Sequence, residues 1–540
     1  MMLQSQSGRP PRRGVVLLAV LVVIVLLSLA AYQYSDMMLA EYKASVNAHH
    51  AAQARAFADS GIAYAAVLLS TSDNIATVNG NVYDNPTSFR DVVVGTDDAK
   101  NVSGRFWLIA PPDPSDTANT GTWRSGVTDE AGKININGVM RLDPTGEVLY
   151  NMLLKLPNVT DDLAAPLVDW VDADDTARQN GAESDYYSGL VPAYRAKNGP
   201  LDSIDELLLV KGINRDILYG NDLNVNGIQD ANETVNTDGY SRGLAAYLTV
   251  QSREQNVDKS GLPLTYINGS DLSALFESLA ASIGDDNLAK FIIMYQQYGP
   301  SNPTGQTQST ANSLKAVAKA LQGGGKGGGG KGGGGSAPPT IEGNLSSWSP
   351  DFTKKASQKI SSFFDLVTAQ VSIAGKDPKK DPTVIYKSPL SDAAVRRELL
   401  PKLFQAATIF QESDLPARIN VNTAPQAVLA ALPDLTDSDV QTIMSVRPAL
   451  GADQAPDPIF DTPAWLLTEA KLKTDTLKKL EKYITTKTQV YRVQSLGYFN
   501  GPGPTARVEA VIDTHNGRPR IIMWRDLTEL GTSGMKNNQP

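Results

Sequence analysis

The 540-residue chain contains no cysteine and only three histidines, His49, His50 and His515. Without thiols it can form no disulfide, no Cys-ligated zinc site and no cysteine nucleophile, so packing or bound cations must stabilise its folded parts. Two of the histidines adjoin each other on a predicted helix, where solvation is favoured over catalysis. The sequence has no G-x-S-x-G motif, and no Gly-Lys pair is followed by Ser or Thr, which excludes a P-loop.

Acidic residues outnumber basic ones, with 58 Asp and Glu against 49 Lys and Arg, and the formal net charge is −9. A chain of this sign repels phosphate, so we expect no nucleic acid among its partners. The length is sufficient for two or three domains, each with its own core.

One apolar segment dominates the N-terminal region, since residues 14–35 contain no charged side chain. A helix over these residues would rise about 30 Å, the thickness of a hydrocarbon core. Basic residues (Arg9, Arg12 and Arg13) precede the segment, so the leader is expected in the cytoplasm and the rest of the chain outside it. We therefore predict a transmembrane helix over 15–35.

The helix is expected to continue beyond the membrane, because residues 15–69 contain no proline and a single glycine. One stripe of this continuation could pack on a globular domain. Its members are Phe57, Gly61, Tyr64 and Leu68. The predicted aqueous part of the helix is 36–70.

The apolar run begins directly after a basic pair and a glycine, Arg12-Arg13-Gly14. An ordinary secretory signal would instead be cut after the run, near Ser28-Leu29-Ala30. A basic leader (1–14) that ends in glycine before such a helix resembles a type IV prepilin. The resemblance implies that a prepilin peptidase cuts after Gly14 and methylates the new N-terminus at Val15.

Ala19 occupies the fifth mature position, where most pilins have Glu. Its lack of a carboxylate resembles the K-type minor pseudopilins of the type II secretion system, which cap the pseudopilus. Further segments resemble this family in the same order along the chain. They are Asp129–Asn137, Leu167–Asp174, Gly181–Glu183, Pro192–Tyr194 and Pro200–Gly212.

An internal repeat underlies these segments. Ile134-Asn135-Ile136-Asn137 leads to Leu156-Pro157-Asn158-Val159-Thr160-Asp161, and Ile419-Asn420-Val421-Asn422 leads to Leu432-Pro433-Asp434-Leu435-Thr436-Asp437. A weaker copy begins at Tyr266. Each unit is typical of a helix-hairpin-helix, but the hairpins lack the glycine with which such motifs approach DNA phosphates. We expect the units to be structural.

Alternating apolar residues predict strands over 103–110, 122–127, 489–499, 506–514 and 520–526. Together with the long helix they predict an α+β, type IV pilin-like fold, a long N-terminal helix on an antiparallel sheet. The sheet would be built from 71–133 and 488–530, a large helical domain over 134–487 would be inserted, and 531–540 would be a disordered tail. Helical patterns recur at 271–298, 311–322, 351–373 and 390–412.

The glycine-rich tract 323–335 cannot bury apolar surface and is expected to be a flexible loop inside the helical domain. The alternative is a linker between two independently folded domains.

Residues Asp222–Glu233 fit the calcium-loop pattern D-x-[DN]-x-[DN]-G-x5-E at every defined position. Hard oxygen ligands converge in such a loop only if the chain turns sharply at the sixth residue, here Gly227. The predicted ligands are the side chains of Asp222, Asn224, Asn226, Asp230 and Glu233 and the carbonyl of Ile228. The alternative is a turn without an ion.

A second acidic cluster provides six carboxylates within seventeen residues: Asp169, Asp172, Asp174, Asp175, Glu183 and Asp185. The family resemblance implies calcium in the helical domain, so a second calcium site is one interpretation. A solvated acidic loop is an equal alternative, and a glycosidase-type acid pair is disfavoured because no substrate cleft is indicated.

The resemblance implies a minor pseudopilin that initiates and caps the pseudopilus, not an enzyme. Expected partners are other minor pseudopilins in a tip complex, the prepilin peptidase and the inner membrane, with calcium as cofactor and the body in the periplasm. The alternatives are a minor pilin of a type IV or DNA-uptake pilus and, in a third class, a calcium-dependent exported hydrolase.

We predict cleavage after Gly14, because the basic pair and the glycine precede the apolar run. Mass spectrometry of the mature chain should find a methylated amine on Val15. A mature chain that starts at Ala31 would instead indicate an ordinary signal peptide.

Overall fold

The computed structural model describes residues 13–71, 74–75, 78, 81–97, 102–113, 123–228, 233, 242–258, 260–301, 340–375, 381–449, 457–501, 503–515 and 517–531. Several of the predictions made above lie outside these residues. They are residues 1–12 of the leader, the helical pattern 311–322, the glycine-rich tract 323–335, the ligand Asp230, and the tail beyond residue 531.

The longest element is helix α1, Arg13–Leu68, a continuous helix of 56 residues. The N-terminal part of α1 is exposed and apolar, with a mean hydropathy of 3.2 over eighteen residues. In the described part of the chain, α1 is the one helix that is long and apolar enough to cross a membrane. Its C-terminal part packs on a sheet. The predicted stripe makes this contact. The Phe57 ring packs edge-to-face against Phe499, and the ring centroids of Tyr64 and Phe106 lie 5.5 Å apart.

Seven strands form the central antiparallel sheet. Four precede the helical region and three follow it: β1 (Val92–Asp97), β2 (Val102–Ala110), β3 (Arg124–Ser125), β4 (Thr128–Asp129), β5 (Val490–Phe499), β6 (Ala506–Asp513) and β7 (Arg520–Asp526). Their spatial order is β1-β2-β5-β6-β7, with β3 paired to β2 and β4 paired to β5.

The sheet buries side chains on both faces. Helix α1 covers one face, where two glycines allow the helix and the strand to approach closely. A β-carbon on Gly61 would lie 2.2 Å from the Ser495 hydroxyl, and one on Gly497 would lie 2.0 Å from the Ala54 carbonyl. The opposite face carries a small separate core of Trp107, Ile109, Trp123, Ile228, Leu496 and Tyr498.

Between β4 and β5 the chain forms what we call the helical body, residues 134–485. Its buried side chains form one large core. The short helix α2 (Pro86–Phe89) lies beside the sheet, and the other helices belong to the helical body. They are α3 (Ile136–Leu142), α4 (Glu147–Leu153), α5 (Asp161–Val171), α6 (Ser184–Ser188), α7 (Arg215–Tyr219), α8 (Leu272–Ile283), α9 (Asp286–Tyr298), α10 (Ala393–Ala406), α11 (Gln426–Ala431), α12 (Asp437–Val446), α13 (Trp465–Thr468) and α14 (Thr474–Leu480).

Three similar units follow one another in the helical body, and each is closed by a two-residue parallel strand pair. The pairs are Ile134–Asn135 with Leu248–Thr249, Thr265–Tyr266 with Ala407–Thr408, and Ile419–Asn420 with Ile484–Thr485. The predicted repeat therefore includes its weaker copy. In the first and third units the hairpin residues Asn158 and Asp434 adopt positive φ angles of 61° and 59°, so Asn and Asp serve where other hairpins use glycine.

The helix predicted over 351–373 is wrong. The structure has a short 3₁₀ turn, Phe363–Leu366, and a strand, Gln370–Ile373, that pairs with Thr383–Lys387. The Ser362 side chain and Asp365 cap the turn in a capping box. Serines that bond the nearby backbone compete with a longer helix, and the β-branched residues that follow favour the strand.

The helical body is fixed to the sheet at the end of β4. Buried Asp129 accepts hydrogen bonds from the hydroxyls of Thr423 (2.6 Å) and Thr488 (2.7 Å), and from the Asn420 amide (2.9 Å). These donors come from the third unit of the body and from the chain that returns to β5. Asp129 therefore joins three parts of the sequence at one point.

The next residue, Glu130, makes a second junction at the same place. Its carboxylate pairs with Arg492 of β5 (2.7 Å) and Lys133 (3.4 Å), and it accepts the Thr249 hydroxyl from the closing pair of the first unit. Its side chain is fully buried, and its cationic partners hold its pKa well below the ordinary value against the opposing effect of burial. The carboxylate is therefore ionised and paired.

We predict that Asp129→Ala destabilises the full-length protein by about 2–4 kcal/mol, because it leaves several buried donors without their acceptor. Thermal unfolding in detergent, followed by circular dichroism, measures the loss. Asp202→Ala is the matched control, since Asp202 is exposed and its surface pair with Lys197 should contribute less than about 1 kcal/mol. Equal melting temperatures for Asp129→Ala and the control would contradict the junction.

Candidate functional site

Three acidic side chains converge at the end of helix α5. Asp169 lies in its last turn, Asp172 is its C-cap residue and Glu183 is the N-cap residue of α6. Residues three apart share one face of a helix, so Asp169 and Asp172 point the same way. The C-terminus of a helix carries partial negative charge, which disfavours carboxylates there unless a cation compensates them.

The three carboxylates form a compact, buried cluster that we call the acidic triad. One oxygen of each lies within 4.8 Å of the others, and the residues Asp169, Asp172 and Glu183 are 0%, 6% and 4% exposed. Burial raises the pKa of Asp172 to about 6 and that of Glu183 to about 7, and the neighbouring acidic residues add to both shifts. Holding three charges in this space is therefore unfavourable without a compensating cation.

The triad members differ in how their oxygens are satisfied. Asp169 accepts backbone N–H groups of Arg178 (3.1 Å) and Ala182 (2.8 Å), and its oxygen leaves no room for a β-carbon on Gly181. Both oxygens of Glu183 and Oδ1 of Asp172 have no hydrogen-bond partner among the residues that the structure describes. Buried carboxylate oxygens of this kind favour a bound cation, and oxygen-only sites suit Ca²⁺ or Mg²⁺.

The other acids of the predicted cluster lie outside the triad. Asp174 and Asp175 are exposed, although both contribute to the raised pKa of Glu183. Asp175 accepts the Asn198 amide at 2.8 Å. Asp185 is exposed on helix α6. Of the six predicted residues, three thus form the buried site.

Sequence reasoning missed one neighbour of the triad, Arg178, which lies 3.5 Å from Asp169 and 3.7 Å from Asp172. It is the single basic residue within the acidic stretch 169–185, and that could have marked it. The aromatic residues that adjoin these acids in the sequence form a cluster, in which the Trp170 ring packs edge-to-face against Tyr187 (5.0 Å) and Tyr194 (6.1 Å).

The loop predicted to bind calcium is folded as its pattern requires over the residues that the structure describes. Asp222 accepts the backbone N–H groups of Asn226 (2.9 Å) and Gly227 (2.7 Å), and Gly227 has the positive φ of 79° that the sharp turn needs. Glu233 accepts the Leu223 N–H at 2.8 Å. The acids Asp222 and Glu233 thus lie at the two ends of one turn.

The predicted side-chain ligands Asp222, Asn224, Asn226 and Glu233 are all buried. Burial raises the pKa of Asp222 to about 6, nearby Glu233 adds to the shift, and Arg507 opposes it. The oxygen donors suit a hard cation here too.

This loop lies on the sheet face opposite α1. The Trp123 ring N–H donates to the Asn226 carbonyl at 3.0 Å, and buried Arg507 of β6 donates to the Asn224 carbonyl. The Ile228 side chain is buried in the small core of that face. Ile228 was predicted to offer its carbonyl, and its side chain has a second role as the anchor of the loop.

Comparison with known proteins gives consistent results. Two family models, both described as "Type II secretion system (T2SS), protein K", match residues 132–219 and 419–485. Type II secretion system protein K of Pseudomonas aeruginosa is 30% identical over 116 residues, which cover 20% of this chain and 34% of the relative. The protein of the same description from Pectobacterium carotovorum subsp. carotovorum is 29% identical over 136 residues, which cover 22% and 42%.

The matched segments thus span between a third and about two fifths of the curated relatives. A solved chain of the GspK-GspI-GspJ complex from the enterotoxigenic Escherichia coli type 2 secretion system is 11% identical. The alignment covers 91% of this chain and 98% of that one, with a TM-score of 0.34, which is too low to support a structural argument.

We predict that Glu183→Gln raises the melting temperature of the full-length protein in chelator by about 1–3 °C, because it removes one buried negative charge. Because the folded-state pKa of Glu183 is raised from 4.5 to about 7, its destabilising effect on the folded protein is absent below about pH 4.5. The effect grows between pH 4.5 and about 7 and is complete above that range. Differential scanning calorimetry at pH 5 and pH 8 measures the change.

Excess calcium should reverse the order of stability, since wild type gains a ligand that the variant binds poorly. Asp185→Asn is the control, because this exposed acid should show neither effect. A Glu183→Gln protein that is less stable than wild type in chelator at pH 8 would disprove the repulsion.

Proposed function

We propose that this chain, which matches models of the type II secretion system protein K over 132–219 and 419–485, is a minor pseudopilin of that family. It would be a non-catalytic subunit at the tip of the pseudopilus that drives protein export across the outer membrane. The observation that carries the proposal is the placement of an exposed apolar half-helix at one end of the molecule and the helical body at the other.

The direction of strand β5 supports this placement. Its end at Phe499 packs against His50 and Phe57, which are closest to the apolar part of α1. Further back along the strand, Ser495 meets Gly61, and the junction at Asp129 lies before the strand begins. The body is thus attached at the end of the sheet that is far from the apolar half of α1. At that end it would obstruct the addition of another subunit beyond this one.

The type IV pilin-like assignment is part of this proposal. A long helix on an antiparallel sheet, with the helical body between β4 and β5, is the arrangement that it requires. Prepilin peptidase would then remove residues 1–14, the apolar part of α1 would cross the inner membrane once, and the sheet and the body would lie in the periplasm.

The proposed partners are other minor pseudopilins, which would pack against α1. Over the sheet, the outward side of this helix carries the small exposed residues Ala52, Ala56 and Ala63, together with the exposed acid Asp59. Small side chains allow two helices to approach closely. Ala19 offers no carboxylate to the amine of a subunit above, as expected of a terminal position.

Calcium is the cofactor that we propose for both acidic sites. At the triad, Asp172 and Glu183 would bind it, and in the loop Asp222 and Glu233 would do so together with Asn224, Asn226 and the other predicted ligands. Bound calcium would supply positive charge to buried oxygens and so favour the folded form.

For the loop, calcium should raise the melting temperature of wild type more than that of Glu233→Gln. Equal gains in melting temperature would show that the loop is a turn without an ion.

Catalysis and DNA binding have less support. The triad carboxylates are at most 6% exposed, which leaves no access for a substrate. The hairpins of the first and third units have Asn158 and Asp434 where a DNA-binding hairpin presents glycine amides. The second unit does have a glycine there, Gly284, but Asp285 and Asp286 follow it directly and would repel phosphate, so an uptake pilus is not favoured.

Pseudopilus assembly can be tested through α1 itself. We expect the double variant Ala56→Arg and Ala63→Arg to lose co-purification with the other minor pseudopilins from membranes, and to lose secretion at least tenfold. Both positions are exposed, so its melting temperature should stay near that of wild type. Asp202→Arg, on an exposed site of the helical body, is the control and should secrete normally. Undiminished secretion by the double variant would contradict the proposal.

A further inference from the structure

Arg178 contacts two of the three triad members. Its guanidinium lies 3.5 Å from Asp169 Oδ1 and 3.7 Å from Asp172 Oδ2, while no ion pair with Glu183 is formed in the described structure. The guanidinium is held in place, because it also donates to the Thr145 carbonyl and lies 3.9 Å from Glu147. Its own backbone N–H donates to Asp169. Arg178 is thus a fixed neighbour of one side of the triad.

We propose that Arg178 is a positioning residue that keeps Asp169 out of the ligand set and fixes the valence of the cation that the triad accepts. This inference rests on the proposed cation site and deepens it. Asp169 accepts two backbone N–H groups and forms an ion pair with the Arg178 guanidinium at 3.5 Å, whereas Glu183 and Oδ1 of Asp172 have no hydrogen-bond partner in the described residues. The atoms left for a cation therefore belong to Asp172 and Glu183.

Charge balance gives the preferred valence. Three ionised carboxylates beside one guanidinium leave two uncompensated negative charges in a buried space. One divalent cation matches them, a monovalent cation leaves a negative charge, and a trivalent cation introduces a positive one. The acids Asp174 and Asp175 also act on the triad, but both are exposed and solvent weakens their effect, so the balance counts only the buried groups.

Removing the guanidinium should change selectivity in a specific direction. Arg178 repels a bound cation in proportion to the cation's charge, so its loss favours Tb³⁺ more than Ca²⁺. At a separation of about 6 Å and an effective dielectric constant of about 20–40, one unit of charge corresponds to roughly a tenfold change in affinity or more. A residue that only supported the fold would weaken both cations alike.

The experiment measures Ca²⁺ and Tb³⁺ affinities of the full-length protein in detergent by competition, with Trp170-sensitised terbium emission as the signal. A Glu233→Gln background removes the loop site. Arg178→Met should raise the ratio of Tb³⁺ to Ca²⁺ affinity about tenfold, and Arg178→Lys, which keeps the charge, should stay close to wild type. An unchanged ratio in Arg178→Met, or loss of both cations with an unchanged melting temperature, would overturn the proposal.

A second variant keeps the test valid if Arg178→Met does not fold. Asp169→Asn removes one negative charge without removing a proposed ligand, so it should still bind Ca²⁺ and its ratio should fall about tenfold. Loss of Ca²⁺ binding in Asp169→Asn would make Asp169 a ligand and refute the inference. If wild type binds neither cation at the triad, the proposed site itself fails, which is distinguishable from a failure of the role of Arg178.

Discussion

Two adjacent buried acids, Asp129 and Glu130, hold the sheet and the helical body together. Asp129 binds hydroxyl and amide donors from the third repeated unit and from the return to the sheet, and Glu130 binds Arg492 of β5 and Thr249 of the first unit. An ion pair on the surface contributes little, but a buried acid with all its donors in place is costly to separate from them. The first and last units of the body are therefore tied to the sheet at one place.

A further connection between the sheet and the body is the loop that begins at Asp222. It lies further along the sheet, where Trp123 and Arg507 hold its carbonyls and Ile228 enters a small core. A single junction would allow the body to pivot, whereas several connections along the sheet, which include the ion pair of Arg525 with Asp205, restrict that motion. The acidic triad lies elsewhere, inside the first unit, so its cation would stabilise that unit and not the attachment to the sheet.

The sequence predicted those parts of the structure whose pattern lies within a short stretch of the chain. The long helix and the C-terminal strands follow from periodicity, and Phe57, Gly61 and Tyr64 do contact the sheet as their spacing indicates. The triad was predicted only as part of a larger cluster, because sequence distance cannot distinguish buried Glu183 from exposed Asp185. The helix over 351–373 was wrong because its capping serines and β-branched residues outweighed a helical pattern.

The junction itself could not be predicted, because its partners are almost 300 residues or more from Asp129 in the sequence, at Asn420, Thr423 and Thr488. Its chemistry nevertheless suits the role proposed for this chain. A subunit at the tip of a pseudopilus would transmit a push from its membrane helix to the distal body and would have to resist bending between them. A desolvated hydrogen-bond network resists bending better than an apolar contact, since hydrogen bonds fix direction as well as distance. The rigid path therefore runs from α1, across the glycine-lined contact with β5, to the donors of Asp129.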